Sequence, residues 1–323
     1  MGTPLSEIFD TELTRVAEPD ARIAGPWRQP VQMLAEQDIG GRTSIHDEET
    51  AKQVGFQGGA IEGPTHFSQL VPLAHEIFGD AFHESGCISS HYQSPCIEGD
   101  EVQAWAAVAE AGARSVRAGM LKKDGTPVLS ATLSLGPDGG ETELDALMAK
   151  LRPPEQLVIL GDMSVGTRGA KTERVVMGFD QHMGALYPFS LAQKLKAITE
   201  PCSWHTAEGA EKSPWGRPVI PFEMISVLTQ YTNGEARFPV RQPVVGLFAN
   251  QEIRLVDGPL FVDEEYLLDR EVILLSESRR AESHWVRTTV REAKSEKIVA
   301  TTLLNSAFMK ASYPRYDQER SVS

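Results

Sequence analysis

The sequence predicts an α+β protein in which one plan is used twice, a buried helix followed by a meander of antiparallel strands. Three observations predict it. From Phe67 the apolar residues Leu70, Val71, Ala74, Ile77 and Phe78 recur at helical spacing, so one face of that segment is expected to be buried. Downstream, apolar and polar residues alternate through residues 101–109 and 128–135, and the latter arm follows Asp124-Gly125, a strong hairpin signal. Third, Trp204–Ile220 aligns with Ile45–Ile61 without a gap. His205 then matches His46, Glu208 matches Glu49, Ala210 matches Ala51 and Ile220 matches Ile61, four identities in seventeen positions, with Trp215 opposite Phe56.

Residues 1–30 are polar and interrupted by proline, and a short helix around Glu7–Val16 is expected there. Gly63, Pro64 and Thr65 open the first buried helix. Proline in a first turn gives up an N–H that has no partner anyway, and the glycine before it leaves the backbone N–H groups open to a ligand. Those groups suit a developing oxyanion. Pro72 inside the pattern implies either a kink or two shorter pieces. Strands are expected at Cys87–Gln93, Glu101–Ala109, Arg114–Leu121 and Val128–Leu135. Glu141–Leu151 has helical character and Arg152-Pro153-Pro154 breaks it, so residues 139–155 read as a linker between domains at 1–138 and 156–323. In the second half a helix from Phe222 to Tyr231 precedes strands at Val245–Leu255, Tyr266–Ser276, Ser283–Arg291 and Lys297–Ala307, the same order as in the first.

A chain of 323 residues is long enough for two domains that each bury a core. Its net charge of −14 argues against nucleic acid or an anionic membrane as the main partner. Cys87, Cys96 and Cys202 cannot all pair and show no metal-type spacing with histidines, so they read as buried thiols of a reducing compartment. MGTPLSEIFD lacks the pattern of a secretory leader and no apolar run reaches the length of a membrane span, which makes a cytoplasmic protein the expectation. Gly2 with Ser6 fits the myristoylation pattern only loosely and is discounted.

The order His46, an acidic cluster with Ala51, then Gly55-Phe56, then Gly63 at a helix start resembles the MaoC-like (R)-specific enoyl-CoA hydratases and dehydratases. The resemblance covers residues 28–138 and 172–312 and implies two tandem hot-dog repeats, each a central helix wrapped by an antiparallel sheet. In that family the loop reads D-x-N-P-I/L-H and the helix starts H-G-M. Here Gly41 stands in place of the aspartate, Thr43 and Ser44 in place of Asn-Pro, Glu62 in place of the second motif's histidine and Pro64 in place of its methionine. Asp38, the nearest upstream acid, is three residues out of register.

The resemblance implies a hydro-lyase in which a histidine and an acid on one side of an unsaturated acyl thioester position water for its β-carbon. His46 and Glu62 are the candidates for that pair and the Gly63 N–H for the oxyanion donor, with His66 one turn further on as a substrate contact. His46 as a loop residue donating to a backbone carbonyl, and Glu62 as a solvated helix-dipole partner, are the plain alternatives. The second repeat keeps Glu200 five residues before His205 but has Pro221-Phe222 at the helix start. Lys122, Lys123 and Arg217 are candidates for the phosphates of a pantetheine carrier, or merely for surface solubility. No metal or redox cofactor is expected, since coenzyme A or an acyl carrier protein enters only as part of the substrate. The expected partner is that small-molecule thioester, with self-association as a homodimer in addition. A thioesterase and a non-catalytic acyl-binding partner are the rival functions.

Overall fold

The computed structural model describes residues 2–17, 21–40 and 44–322. Its organising element is one antiparallel sheet of eleven strands: β1 (Thr14–Val16), β2 (Arg22–Ala24), β3 (Gly86–Tyr92), β4 (Val102–Ala107), β5 (Ser115–Lys122), β6 (Pro127–Leu135), β7 (Glu173–Val175), β8 (Gly246–Leu255), β9 (Tyr266–Glu277), β10 (Ala281–Glu292) and β11 (Ile298–Met309). Across the sheet the order is β1-β2-β4-β5-β6-β3-β8-β11-β10-β9-β7. Read outward from the β3/β8 pair, β6, β5, β4 and β2 on one side answer β11, β10, β9 and β7 on the other. Each half is therefore the same fold, and the halves meet edge to edge where Cys87–His91 pair with Arg254–Asn250. β1 adds one further edge strand to the first half.

The repeat extends to individual hydrogen bonds: the donors stand at a constant offset along the chain, and of the acceptors only Leu260, answering Cys96, is displaced from it. Ala60 N–H donates to Ile45 O at 2.9 Å, and Val219 N–H donates to Trp204 O at 2.8 Å. Ile61 N–H reaches Cys96 O at 2.7 Å and Ile220 N–H reaches Leu260 O at 2.8 Å. Asp47 Oδ1 accepts from Thr50 N–H at 2.8 Å, and Thr206 Oγ1 accepts from Gly209 N–H at 3.0 Å. With only four identities, the two segments still close the same turns, because backbone groups need partners whatever side chains they carry.

Phe67–Phe78 is one α-helix preceded by a 3₁₀ turn at Gly63–His66, and Pro72 does not divide it. Its buried face includes Phe67, Leu70, Leu73 and Ala74, all without exposure. The helix of the second repeat, Phe222–Gln230, is buried along its whole length. A helix buried on nearly every side must be wrapped, and the curled sheet does so. The expected helix at Glu7–Val16 is corrected: Leu5–Ile8 is helical and Thr14–Val16 is a strand, since β2 offers it an edge to pair with. In the connecting segment Glu143–Met148 is helical with a capping box from Thr142 and Asp145, and Leu144 packs against Trp285 and Leu303. The three cysteines are free and buried. Among the described residues no helix is long and apolar enough to cross a membrane.

The short edge strand β7 is tied to the sheet by a buried charge pair. Arg270 on β9 donates to both oxygens of Glu173 at 2.8 Å, and Thr232 adds a third bond to the same carboxylate. Neither partner's side chain is more than 1% exposed. Removing one member of such a pair strands the other charge in a low dielectric. Arg270→Ala is expected to lower unfolding free energy by about 3–5 kcal/mol in urea titration, and a loss under 1 kcal/mol would show that solvent reaches Glu173.

Candidate active site

A cavity of about 620 Å³ opens beside the start of the first central helix, and its wall includes His46, Glu62, Gly63, His66 and Tyr92. That volume is in the range used to enclose a small organic ligand. The other side is supplied by the second repeat, through the segment between its helix and β8 and through β10 and β11. Hence the cavity exists only because the two halves share a sheet.

His46 is held by a turn and by a glycine. Its backbone N–H takes the Ser44 hydroxyl at 3.2 Å, and its carbonyl sits so close to Gly59 that a Cβ there would be 2.4 Å from the oxygen. The ring Nδ1 lies 2.5 Å from Ala60 O. A carbonyl only accepts, so Nδ1 carries the proton and Nε2 is left as a lone-pair base. Burial pushes the imidazole pKa down to about 4, so the base form is held at neutral pH. The helix-capping Asp47 next to it belongs to the turn, accepting from Thr50.

Glu62 is only 4% exposed, and its Oε1 has no hydrogen-bond partner among the described residues. Burial raises its pKa to about 7, with Lys194 opposing the rise and Glu223 adding to it. Lys194 is 3% exposed, donates to Thr65 Oγ1 at 3.0 Å and stands 3.8 Å from Glu223 Oε1. Burial raises the Glu223 carboxyl as well. One buried ammonium therefore faces two buried carboxylates, an arrangement that favours a proton on one of them. Gly63 follows directly. Its N–H has no acceptor among the described residues, and a side chain there would meet Tyr92 Cζ at 2.5 Å, so the close approach of that ring itself requires glycine. His66 is buried in the same wall, its Nδ1 unpartnered among the described residues and its pKa lowered to about 4 by burial.

The remaining sequence candidates lie elsewhere. Glu200 is saturated: Arg28 binds it through Nε at 2.7 Å and Thr11 through its hydroxyl. His205 repeats the His46 geometry, with Nδ1 2.8 Å from Val219 O, but the matching space is filled. Phe222, at the position of Gly63, stacks on Phe82 at 5.2 Å, Trp204 lies edge-on to Trp215 at 5.3 Å, and the cavity beside His205 is about 10 Å³. Lys122 and Lys123 are paired with Asp100 at 2.7 Å and Glu101 at 2.6 Å. Arg217 pairs with Glu264 at 2.8 Å and stacks on Phe261. None of these three cations lines the cavity. Gly41 and Thr43 lie outside the described residues, and Asp38 is exposed with its backbone N–H on Ala185 O.

Sequence reasoning missed Lys194, Glu223 and Tyr92. Lys194 and Glu223 carried no signal, because a lysine in a capped helix and a glutamate in a first turn are ordinary surface choices. Tyr92 did carry one: it shares the inner face of β3 with Ile88 and Ser90 by strand alternation.

No protein-family model and no curated protein sequence matches this chain. Among solved structures it is similar to Rv0216, a conserved hypothetical protein from Mycobacterium tuberculosis with a double hot-dog fold, at TM-score 0.52 and 11% identity over 95% of this chain and 98% of that one. It is also similar, at TM-score 0.48 and 9% identity, to the dehydratase domain of PpsC from Mycobacterium tuberculosis in complex with C12:1-CoA, over 92% of this chain and 97% of that one. A MaoC-like dehydratase is similar at TM-score 0.48 and 12% identity, over 81% of this chain and 87% of that one. Strand order, internal repeat and the Rv0216 likeness agree: the chain has the double hot-dog fold.

Proposed function

We propose that the protein is a hydro-lyase of acyl thioesters, adding water to an enoyl thioester or removing it from the hydroxyacyl product, in the cavity of the first repeat. The observation that carries this reading is Glu62, a buried carboxyl with an oxygen unpartnered among the described residues, in the same wall as a histidine whose Nδ1 donates to a backbone carbonyl and whose Nε2 keeps its lone pair. In hydration His46 Nε2 takes a proton from water as the water oxygen bonds to the β-carbon. The α-carbon takes its proton from Glu62, and the Gly63 N–H holds the negative charge that passes through the thioester oxygen. The two groups then exchange the proton through solvent, leaving His46 neutral and Glu62 protonated for the next turnover. The second repeat supplies cavity wall.

Incubation with crotonyl, branched and aromatic enoyl thioesters tests the reading. Loss of double-bond absorbance without thiol release is expected; thiol release would make the protein a thioesterase, and binding without either would make it an acyl carrier or scaffold.

His46→Ala and Glu62→Gln are each expected to lower kcat by about 10²–10⁴, the usual cost of a lost acid or base. Glu200→Gln and His205→Ala should keep kcat within about twofold, although Glu200→Gln weakens the bonds of Arg28 and lowers stability by about 1–3 kcal/mol. The reverse pattern would move the chemistry to the second repeat.

Because Glu62 must hold its proton and ionises near 7, kcat/KM for hydration should fall above about pH 7, whereas His46, titrating near 4, leaves the neutral range untouched. Glu62→Gln should lack that alkaline fall in its residual activity. An unchanged alkaline limb in the variant would exclude Glu62 as the acid.

Stability should fall in the same direction. A carboxyl whose folded pKa is raised from 4.5 to about 7 stabilises the fold fully only below the lower value and loses that contribution as pH rises through the upper one. Glu62→Gln has no charge to bury, so its melting temperature is expected to exceed that of the wild type at pH 8 and to equal it near pH 4. A variant that melts lower at pH 8 would mean that Glu62 is a structural ion.

A further inference from the structure

The cavity has a second polar point that the proposed chemistry does not use. His284, on β10, is 7% exposed and lies edge-on between Phe238 at 5.7 Å and Phe308 at 5.1 Å. Its Nδ1 is buried with no hydrogen-bond partner among the described residues, and the ring lines the cavity wall. Leaving a buried imidazole nitrogen unpaired costs what a missing hydrogen bond costs, so a phenylalanine between the same two rings would be the cheaper choice. Burial lowers its pKa to about 4, so the imidazole is uncharged, one nitrogen donating and the other accepting.

The position is fixed by the sheet. His284 pairs across the strands with Ser306, and Ser306 pairs with Phe248; all three line the cavity. On β3, Tyr92, the ring against Gly63, follows the last pair of the β3/β8 junction, His91 with Asn250. From β3 to β10 is three strand spacings, about 14 Å. Measured along the curled sheet, three strand spacings thus separate the two polar ends of the cavity, whose wall also carries Phe248, Leu247 and Val244.

We propose that this far end is a second recognition point, where His284, with Ser306 beside it, hydrogen-bonds an uncharged polar group, a hydroxyl or carbonyl, carried on the acyl chain away from the thioester. The inference rests on the thioester reading and narrows its substrate class to chains already hydroxylated or oxidised at a distance from the reacting carbons. A carboxylate is the poorer fit, because the neutral ring between two phenyl groups would have to take up a proton to neutralise it. The preceding reaction must then be one that leaves oxygen on the distal chain.

Calorimetric titration with non-hydrolysable coenzyme A analogues tests it, each with a methylene between sulfur and carbonyl and with a plain, hydroxyl-ended or carboxyl-ended chain over a series of matched lengths. At one length the hydroxyl-ended analogue is expected to bind the wild type about tenfold more tightly than the plain one, the scale of one buried hydrogen bond. His284→Phe should abolish that preference and His284→Gln, which keeps a donor and an acceptor, should retain part of it. Equal binding of plain and hydroxyl-ended chains at every length, preference for the carboxyl-ended chain, or a preference that survives in His284→Phe would overturn the proposal while leaving the thioester reading intact. Absence of binding by every analogue to the wild type would overturn both.

Discussion

Each hot-dog half curls its sheet around a helix but leaves one strand unpaired along the inner edge, β3 in the first half and β8 in the second. An open edge of that kind must be covered, and here each covers the other through five residue pairs. Residues on both sides of the seam are deeply buried: Gln251 on β8 receives the Ser90 hydroxyl on its carbonyl and donates from its side chain to Ser226 on the second central helix. The seam fixes the two helices relative to one sheet. It also places β10 and β11 of one repeat opposite the helix start of the other, and so makes a cavity that neither half encloses alone.

The near-symmetric backbone carries two unlike interiors. At equivalent positions Gly63 stands against Phe222, Glu62 against Pro221 and Phe56 against Trp215. In the second repeat these side chains pack with Phe82, His83 and Trp204 into an aromatic cluster that leaves almost no space. In the first repeat the same turn, with the same histidine bonded to the same backbone carbonyl, borders open volume. Filling one site stabilises the fold by apolar burial and aromatic contact. Keeping the other open leaves Glu62, His66 and His284 along its wall with atoms unpartnered among the described residues, each at the cost of a missing hydrogen bond.

Lys194 connects these themes. It comes from the second repeat, yet it is bound to Thr65 at the first helix start and lies beside Glu223. A lysine this deeply buried lowers the pKa of the Glu62 carboxyl against the stronger effect of desolvation, so the acid is poised near neutrality rather than far above it. The second repeat thus acts on the first through charge as well as through shape.

Periodicity was enough to place the central helices and most strands to within a few residues, since burial of one face imposes its own spacing on a sequence. The ungapped alignment of Ile45–Ile61 with Trp204–Ile220 also revealed the repeat, because turns that reuse the same backbone bonds retain a common length. His46, Glu62 and Gly63 were legible as neighbours of a helix start. Their states were not: whether His46 is a neutral base or Glu62 a partly protonated acid depends on burial and on Lys194, which is 132 residues further along the chain than Glu62 (194 − 62). Lys122, Lys123 and Arg217 read in sequence as phosphate contacts or as surface charge and are ion-paired in space, because an acidic chain offers each cation a carboxylate that only folding brings near. Sequence alone determined the plan and its duplication, which are set by local spacing; tertiary structure decided which copy stays open and how its groups are charged, because cavity volume and desolvation are properties of packing between residues far apart in the chain.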